Sequence, residues 1–201
     1  MTAPQTAQNG SLRLAAGRSL LLPDGRGPAG TAVLEVVDGV ARLACEAVCP
    51  GVDCGAFTVA FLQSGDRLSL NQLCAEGIVL EALSPLSLRF QPGADAESLA
   101  DPVSDWTLQL LRLRHLPQAD QRLQALFGLL VERFGRRCGA WCDLPFHLSH
   151  GRIAELIGTT RVTTTRLLSR IRQQSLLITA NDAPGWRLAA SWIEAAPLIV
   201  A

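Results

Sequence analysis

Four cysteines in the first half of the sequence carry the side chains best suited to bind a metal or to change oxidation state. Cys45, Cys49 and Cys54 lie within one stretch of ten residues that is expected to form a loop, and Cys74 follows in a later segment. Thiolates bind iron–sulfur clusters and zinc, so the four could hold a cluster, with zinc as the alternative. The spacing lacks the tight Cys-x2-Cys pattern, which leaves a thiol redox switch and unrelated core or loop cysteines open.

A second set of candidate residues lies near the C-terminus, on two short predicted helices. Ser149 is a good N-cap for a helix that ends at Gly158. A second helix begins near Thr160 and buries Leu167, Leu168 and Ile171. Its remaining N-terminal positions form no apolar stripe, and they are the candidate DNA-binding residues Thr160, Arg161, Val162, Thr165, Arg166 and Ser169.

This second set has the chemistry of a DNA reader. Arginine donates twice to the O6 and N7 edge of guanine, the methyl groups of valine or threonine contact thymine, and hydroxyls suit phosphates. Ala154 is small enough to let the helices cross closely, and Gly158 permits the left-handed backbone of a tight turn. The pattern therefore predicts a helix-turn-helix, and the alternative is an ordinary pair of core helices with a solvated arginine face.

The elements before and after these helices predict an α+β fold in three parts. Short apolar runs separated by Gly, Pro and Asp predict an all-β barrel or roll over residues 1–100, the expected sensing domain. Helical spacing predicts a helix over 101–117, with Pro117 before the next one. Two strands flanking Asn181–Gly185 then complete a winged helix-turn-helix over 118–201. The predicted strands are Ser19–Leu22, Ala32–Val37, Val40–Ala44, Ala56–Leu62, Ile78–Leu83, Leu86–Phe90, Leu176–Thr179 and Trp186–Ala189.

Composition and charge fit a cytoplasmic regulator better than an enzyme or a membrane protein. The net charge is zero, but residues 1–100 hold 6 Arg against 10 acids, whereas residues 149–201 hold 6 Arg against 3 acids. No apolar run is long enough to span a bilayer, and no export signal is recognisable, so the cysteines should be reduced. The three histidines are scattered and suggest no catalytic site.

The segment 148–172 resembles the DNA-binding helices of the Crp/Fnr superfamily of bacterial transcription regulators, and within it the cyanobacterial nitrogen-control branch. Two further segments support the resemblance. Residues 122–135 are similar to the family's helix before the DNA-binding domain, and the run Phe61–Asp66 is similar to a turn of its β-roll, which binds cyclic nucleotides in some members.

The resemblance implies a homodimer on a palindromic double-stranded DNA site, with RNA polymerase as a further partner. The helix over about Val103–Leu116 would form the dimer seam, through Trp106, Leu110 and Leu113. Half-sites of G-T-A type are implied, with Arg166 on the guanine and Val162 against a thymine methyl.

Departures from the family pattern change some of these expectations. The residues after Gly65 and Asp66 lack the Gly-Glu and Arg-Ser phosphate-binding pattern, so no cyclic AMP is expected. Val162 replaces the Glu of many relatives and cannot accept a hydrogen bond from cytosine. Thr164 stands where relatives bury an apolar residue, and its hydroxyl is expected to bond a backbone carbonyl.

Two other classes of protein compete with the regulator. One is a small cupin-like metalloenzyme with a helical appendage, although all three histidines lie outside residues 1–100. The other is a cysteine-rich metal-binding interaction protein whose helix-turn-helix serves a protein partner.

Overall fold

The chain folds into two compact units, residues 1–106 and 107–201. The structure is a computed structural model that describes residues 10–22, 32–49, 52–70, 77–92, 101–179 and 185–197. The division falls inside a helix, α1 (Pro102–Arg114). Residues 102–106 of α1 therefore belong to the first unit, and residues 107–114 belong to the second.

The first unit is a β-roll of eight strands in two four-stranded antiparallel sheets. One sheet has the order β1-β8-β3-β6 and the other β2-β7-β4-β5. Apolar side chains from both sheets form the core, with Leu34, Leu43, Phe61 and Leu88 fully buried. The strands are β1 (Ser11–Leu14), β2 (Ser19–Leu21), β3 (Ala32–Asp38), β4 (Val40–Cys49), β5 (Val52–Gln63), β6 (Arg67–Ser69), β7 (Ile78–Ala82) and β8 (Leu86–Pro92).

All six strands predicted in this region are confirmed, and two more are present. Strands β1 and β6 were not predicted, β4 continues beyond the predicted end at Ala44 to Cys49, and β5 begins at Val52 and not at Ala56. Between β5 and β6 the chain turns at Gly65, whose φ of 92° is a conformation that residues with a side chain rarely adopt. The Asp66 carboxylate closes this turn by accepting from the Gln63 N–H at 2.8 Å.

The helices lie on either side of Pro117, as predicted. After α1, the second helix α2 (Ala119–Phe134) begins once the proline has been passed. Gly135 ends α2 with φ −82°, not with a left-handed turn. A side chain there would lie 2.5 Å from the carbonyl oxygen of Val131, so close approach explains the glycine.

The rest of the second unit is a winged helix-turn-helix, which confirms the predicted α+β fold. Its core is built around Phe127, whose ring lies 5.0 Å from that of Trp186 and 6.0 Å from that of Trp192. The third sheet has the order β11-β12-β10-β9. The elements are β9 (Arg136–Cys138), β10 (Trp141–Leu144), α3 (His150–Ile157), α4 (Arg161–Gln173), β11 (Leu177–Thr179), β12 (Trp186–Ala189) and α5 (Ala190–Glu194).

Both predicted strands of the wing are confirmed, and most of the predicted turn between them, residues 181–184, lies outside the described residues. The hairpin β9–β10 and the short helix α5 were not predicted. Within the described part of the chain, no helix has the length and apolar character needed to cross a bilayer.

Candidate nucleic-acid interface

The turn between α3 and α4 is fixed by caps on both helices. The Ser149 hydroxyl accepts from the Arg152 N–H at 3.2 Å, and the Thr160 hydroxyl accepts from the Thr163 N–H at 3.1 Å. Gly158 ends α3 in the left-handed conformation, with φ 61° and ψ 53°. Ala154 is buried where the two helices pack. The predicted helix-turn-helix is therefore present, with the glycine and the alanine in their expected positions.

One face of α4 packs into the second unit and the other faces solvent. The buried face consists of Thr164, Leu167, Leu168 and Ile171. The six candidate DNA-binding residues lie outside this buried face: Thr160, Arg161, Val162, Thr165, Arg166 and Ser169. We call this set the reading face.

At the centre of the reading face two arginines and an exposed valine line a shallow depression. Arg161, Val162, Thr165 and Arg166 line an open depression of about 470 Å³. Val162 is 61% exposed, so its methyl groups are accessible to a binding partner. Within the described part of the chain, no hydrogen-bond or ion-pair partner is found for Arg161 or Arg166. Both guanidinium groups are thus available to an anion or a base edge.

The hydroxyls of the reading face are partly committed to the protein. Thr160 caps α4, and Thr165 donates from Oγ1 to the Arg161 carbonyl oxygen at 2.8 Å. Thr165 also lies 2.9 Å from Nδ1 of His150, a contact that the sequence analysis missed. The sequence places His150 only in a first helical turn, and nothing in it indicates the distance to Thr165.

Thr164 corrects one expectation. Its side chain is fully buried, but its Oγ1 has no hydrogen-bond partner among the described residues, so the expected bond to a backbone carbonyl is absent. A buried hydroxyl without a partner costs about 1–3 kcal/mol relative to an apolar group of the same shape.

Thr164→Val should therefore stabilise the second unit by about 1–2 kcal/mol, because a methyl replaces the unpaired hydroxyl at nearly constant volume. Urea unfolding followed by tryptophan fluorescence measures the change. Thr163→Val is the matched control, since the Thr163 hydroxyl lies 3.0 Å from that of Thr160 and already has a partner. Equal stabilities for wild type and Thr164→Val would contradict the expected gain.

Arg114, the last residue of α1, holds the end of α3. Its Nε donates to the Leu156 carbonyl at 3.2 Å and its Nη2 donates to the Glu155 carbonyl at 2.6 Å. Carbonyls in the last turn of a helix lack intrahelical partners, and a guanidinium satisfies two at once. Arg114 thereby ties α1 to the helix-turn-helix within the second unit.

The three residues predicted to form the dimer seam are inside the single chain. Trp106, Leu110 and Leu113 are 3%, 7% and 0% exposed, and the Trp106 ring packs edge-on against Phe61 at 5.0 Å. A second copy could not reach these side chains. The apolar side chains of α1 that are exposed are instead those of Leu108 and Leu111, at 45% and 54%. Dimerisation itself stays a prediction.

The cysteines lie on strands, which corrects the expected loop. Cys45 and Cys49 belong to β4, and Cys54 belongs to β5, its antiparallel neighbour. Cys45 is buried and pairs with Phe57, and burial raises the pKa of its thiol. Cys74 lies outside the described residues.

The metal site expected at Cys45, Cys49, Cys54 and Cys74 stays a prediction, because of the four thiols only that of Cys45 is among the described side chains. Among the described residues, no group of three His, Cys, Asp or Glu side chains is placed to hold a metal ion.

Two family models match the chain, one over each unit. Residues 12–103 match the cyanobacterial CRP family N-terminal domain, and residues 121–183 match the Crp-like helix-turn-helix domain. The second match contains the whole reading face.

Individual proteins resemble the chain over different lengths. The regulatory protein CysR of Synechococcus elongatus is 32% identical over 127 residues, 55% of this chain and 62% of CysR. The global nitrogen regulator of Nostoc sp. is 41% identical over 56 residues, 28% of this chain and 25% of that protein. The matched stretches thus span less than two thirds of either relative.

Solved structures show the same fold. A transcriptional regulator of the CRP/FNR family from Thermus thermophilus superposes with a TM-score of 0.65 at 18% identity. That match covers 93% of this chain and 100% of the other. At this identity the likeness concerns the fold alone.

Proposed function

Since the chain belongs to the Crp family of transcription regulators, we propose that it binds double-stranded DNA at specific sequences and regulates transcription. The observation that carries the proposal is the reading face, where Arg161 and Arg166, which find no partner among the described residues, line one depression with the exposed Val162. The helix that presents them is fixed by an N-cap and follows a left-handed turn at Gly158.

The chemistry of the reading face suggests which bases it prefers. Arg166 is proposed to donate to O6 and N7 of a guanine, and Val162 to contact a thymine methyl, which gives half-sites of G-T-A type. Arg161 and the hydroxyl of Ser169 are assigned to the adjacent bases or phosphates.

A homodimer on a palindromic site is part of the proposal. Leu108 and Leu111 are the exposed apolar side chains of α1, and two copies related by a twofold axis would bury them against each other. Such a protein acts where the DNA is, in the cytoplasm, and RNA polymerase is its expected further partner. No catalytic role is proposed.

The proposal for what regulates the protein's activity depends on the sequence alone. No cyclic AMP is expected, and the candidates are an iron–sulfur or zinc centre held by Cys45, Cys49, Cys54 and Cys74, or a thiol redox switch. Metal analysis with an absorption spectrum of protein prepared without oxygen decides between them. Iron with cluster absorption supports the centre, and a colourless protein without iron or zinc eliminates it.

The two competing classes have less support. A cupin-like metalloenzyme needs clustered histidine and glutamate ligands in the β-roll, and residues 1–100 contain no histidine. A metal-binding interaction protein would not need free arginines beside an apolar patch. The salt dependence of DNA binding distinguishes both classes from a transcription regulator.

Selection from a pool of random duplexes tests the proposed function. The wild-type chain should enrich an inverted repeat, and the logarithm of its affinity should fall linearly with the logarithm of the salt concentration, because bound arginines release counterions from phosphates. The salt titration on the selected duplex measures this slope. Failure to bind any duplex better than random DNA, with and without added metal, would overturn the proposal.

A further inference from the structure

His150 lies at the border of the reading face but on the neighbouring helix. It is in the first turn of α3, is partly exposed, and reaches α4 through the 2.9 Å contact between its Nδ1 and Oγ1 of Thr165. The imidazole is thereby held next to a residue of the reading face. The sequence resemblance assigned no role to this side chain.

The hydrogen bonds of Thr165 determine which ring nitrogen of His150 carries the proton. A threonine hydroxyl has a single hydrogen, and Thr165 donates it to the Arg161 carbonyl oxygen, which can only accept. The oxygen of Thr165 must then accept from His150, so Nδ1 carries a hydrogen. In the neutral ring, Nε2 is therefore a bare acceptor. Among the described residues, no hydrogen-bond partner is found for Nε2.

The charges around His150 are positive. Arg161 and Arg172, both on the packed helix α4, act on the ring, and no carboxylate of the described residues does. Burial, followed by these two arginines, lowers the pKa of His150 below its ordinary value, so the ring is neutral near neutral pH in the free protein. The two guanidinium groups beside the ring attract an anion, and on DNA the anion is the phosphate.

Neutral His150 cannot bond a phosphate, because bare Nε2 and a phosphate oxygen are both acceptors. A protonated ring keeps its Nδ1 bond to Thr165 and offers a charged Nε2–H donor on the opposite side. We propose that His150 contacts a DNA phosphate and takes up a proton as the complex forms. DNA affinity then increases as the pH falls. This inference rests on the DNA-binding function proposed above.

The coupling between proton uptake and DNA binding sets the direction and the maximum size of the pH dependence. A phosphate beside the ring raises the pKa of His150 in the complex above its value in the free protein. Affinity therefore rises as the pH falls through the pKa of the complex, and it levels off below the pKa of the free protein. The slope reaches at most about tenfold per pH unit for each chain.

The experiment measures the dissociation constant for the selected duplex between about pH 8 and about pH 5.5 at constant ionic strength, the range in which histidine titrates. His150→Gln should give a flat profile near the alkaline value of the wild type, because the amide carries no charge. His150→Arg should be flat near the acid value of the wild type, because the charge is permanent.

The other two histidines, His115 and His147, provide the controls. His147 is the closer match, since burial and Arg172 also lower its pKa. His115→Gln and His147→Gln should keep the slope of the wild type. The inference is overturned by a flat wild-type profile, by a slope that survives in His150→Gln, or by a slope lost in a control. Absence of sequence preference in the wild type at every pH would instead count against the proposed DNA binding.

Discussion

Replacing Arg166 by alanine should weaken binding to the selected duplex by about 1–3 kcal/mol per contacted guanine, or about 5- to 150-fold, and relax the preference at that base step. Arg166 is exposed on α4, lines the central depression of the reading face, and finds no partner within the described part of the chain. Its guanidinium is therefore free to donate both hydrogen bonds to guanine. Competition with duplexes altered at one base pair measures the effect.

Arg170→Ala is the matched control for this prediction. Arg170 is exposed on the same helix, but it lines a groove with α2 and α5 and not the depression. Its loss should weaken binding only slightly and equally on all sequences. If Arg166→Ala weakens all sequences equally and lowers the salt slope by about one, Arg166 contacts a phosphate and the base assignment is wrong.

Arg42→Ala should destabilise the β-roll by about 2–4 kcal/mol, because it removes a buried side chain together with its hydrogen bonds to Thr58 and Glu81. Arg42 is 1% exposed on β4, where Nε donates to Thr58 Oγ1 at 2.6 Å and Nη1 donates to Glu81 at 3.0 Å. The variant leaves a cavity in the β-roll and removes the guanidinium from Glu81. Urea unfolding gives the magnitude, and amide hydrogen exchange of β4 and β5 places the loss in the β-roll.

Arg89 offers a pair with the same chemistry at the surface. Arg89 and Glu35 are also cross-strand partners, 3.2 Å apart, but the Arg89 side chain is 48% exposed. Arg89→Ala should therefore cost about 0–1 kcal/mol. If Arg42→Ala were as stable as Arg89→Ala, the buried Arg42–Glu81 pair would stabilise the protein no more than the exposed Arg89–Glu35 pair.

The elements that the sequence predicted are those with a strong local signal. Alternating apolar runs bounded by turn residues identified six strands of the β-roll, and Gly158 identified the turn between α3 and α4. The C-terminal end of β4 and the N-terminal end of β5 were missed because Asp53 and Gly55, and to a lesser degree Glu46, are residue types that are depleted in strands. An antiparallel hairpin needs only backbone hydrogen bonds, so β4 and β5 continue through the cysteines.

The reading face was predictable because a single helix and its N-cap carry all six residues. Helical periodicity separates a buried face from the rest of the helix, and none of the six falls on the buried side. The same periodicity found the apolar stripe of α1 but could not show what covers it. Trp106 is covered by Phe61, 45 residues earlier in the chain, so no local pattern could exclude it from the seam.

Contacts between distant polar residues were not predictable at all. Arg42 pairs with Glu81, Arg114 caps α3, and His150 meets Thr165. Each contact depends on how elements pack, and no spacing rule along the sequence applies to such pairs. These contacts became visible only in the folded chain, and the pH dependence of DNA binding rests on one of them.

Placing 7-deazaguanine at the guanine of the selected half-site tests the central claim most directly, because the base keeps its pairing but loses the N7 acceptor. The account predicts that wild-type affinity falls by at least about fivefold, whereas Arg166→Ala, which makes no contact to N7, is unaffected. An undiminished wild-type affinity, or equal losses for the two proteins, would contradict the claim that α4 reads DNA through Arg166.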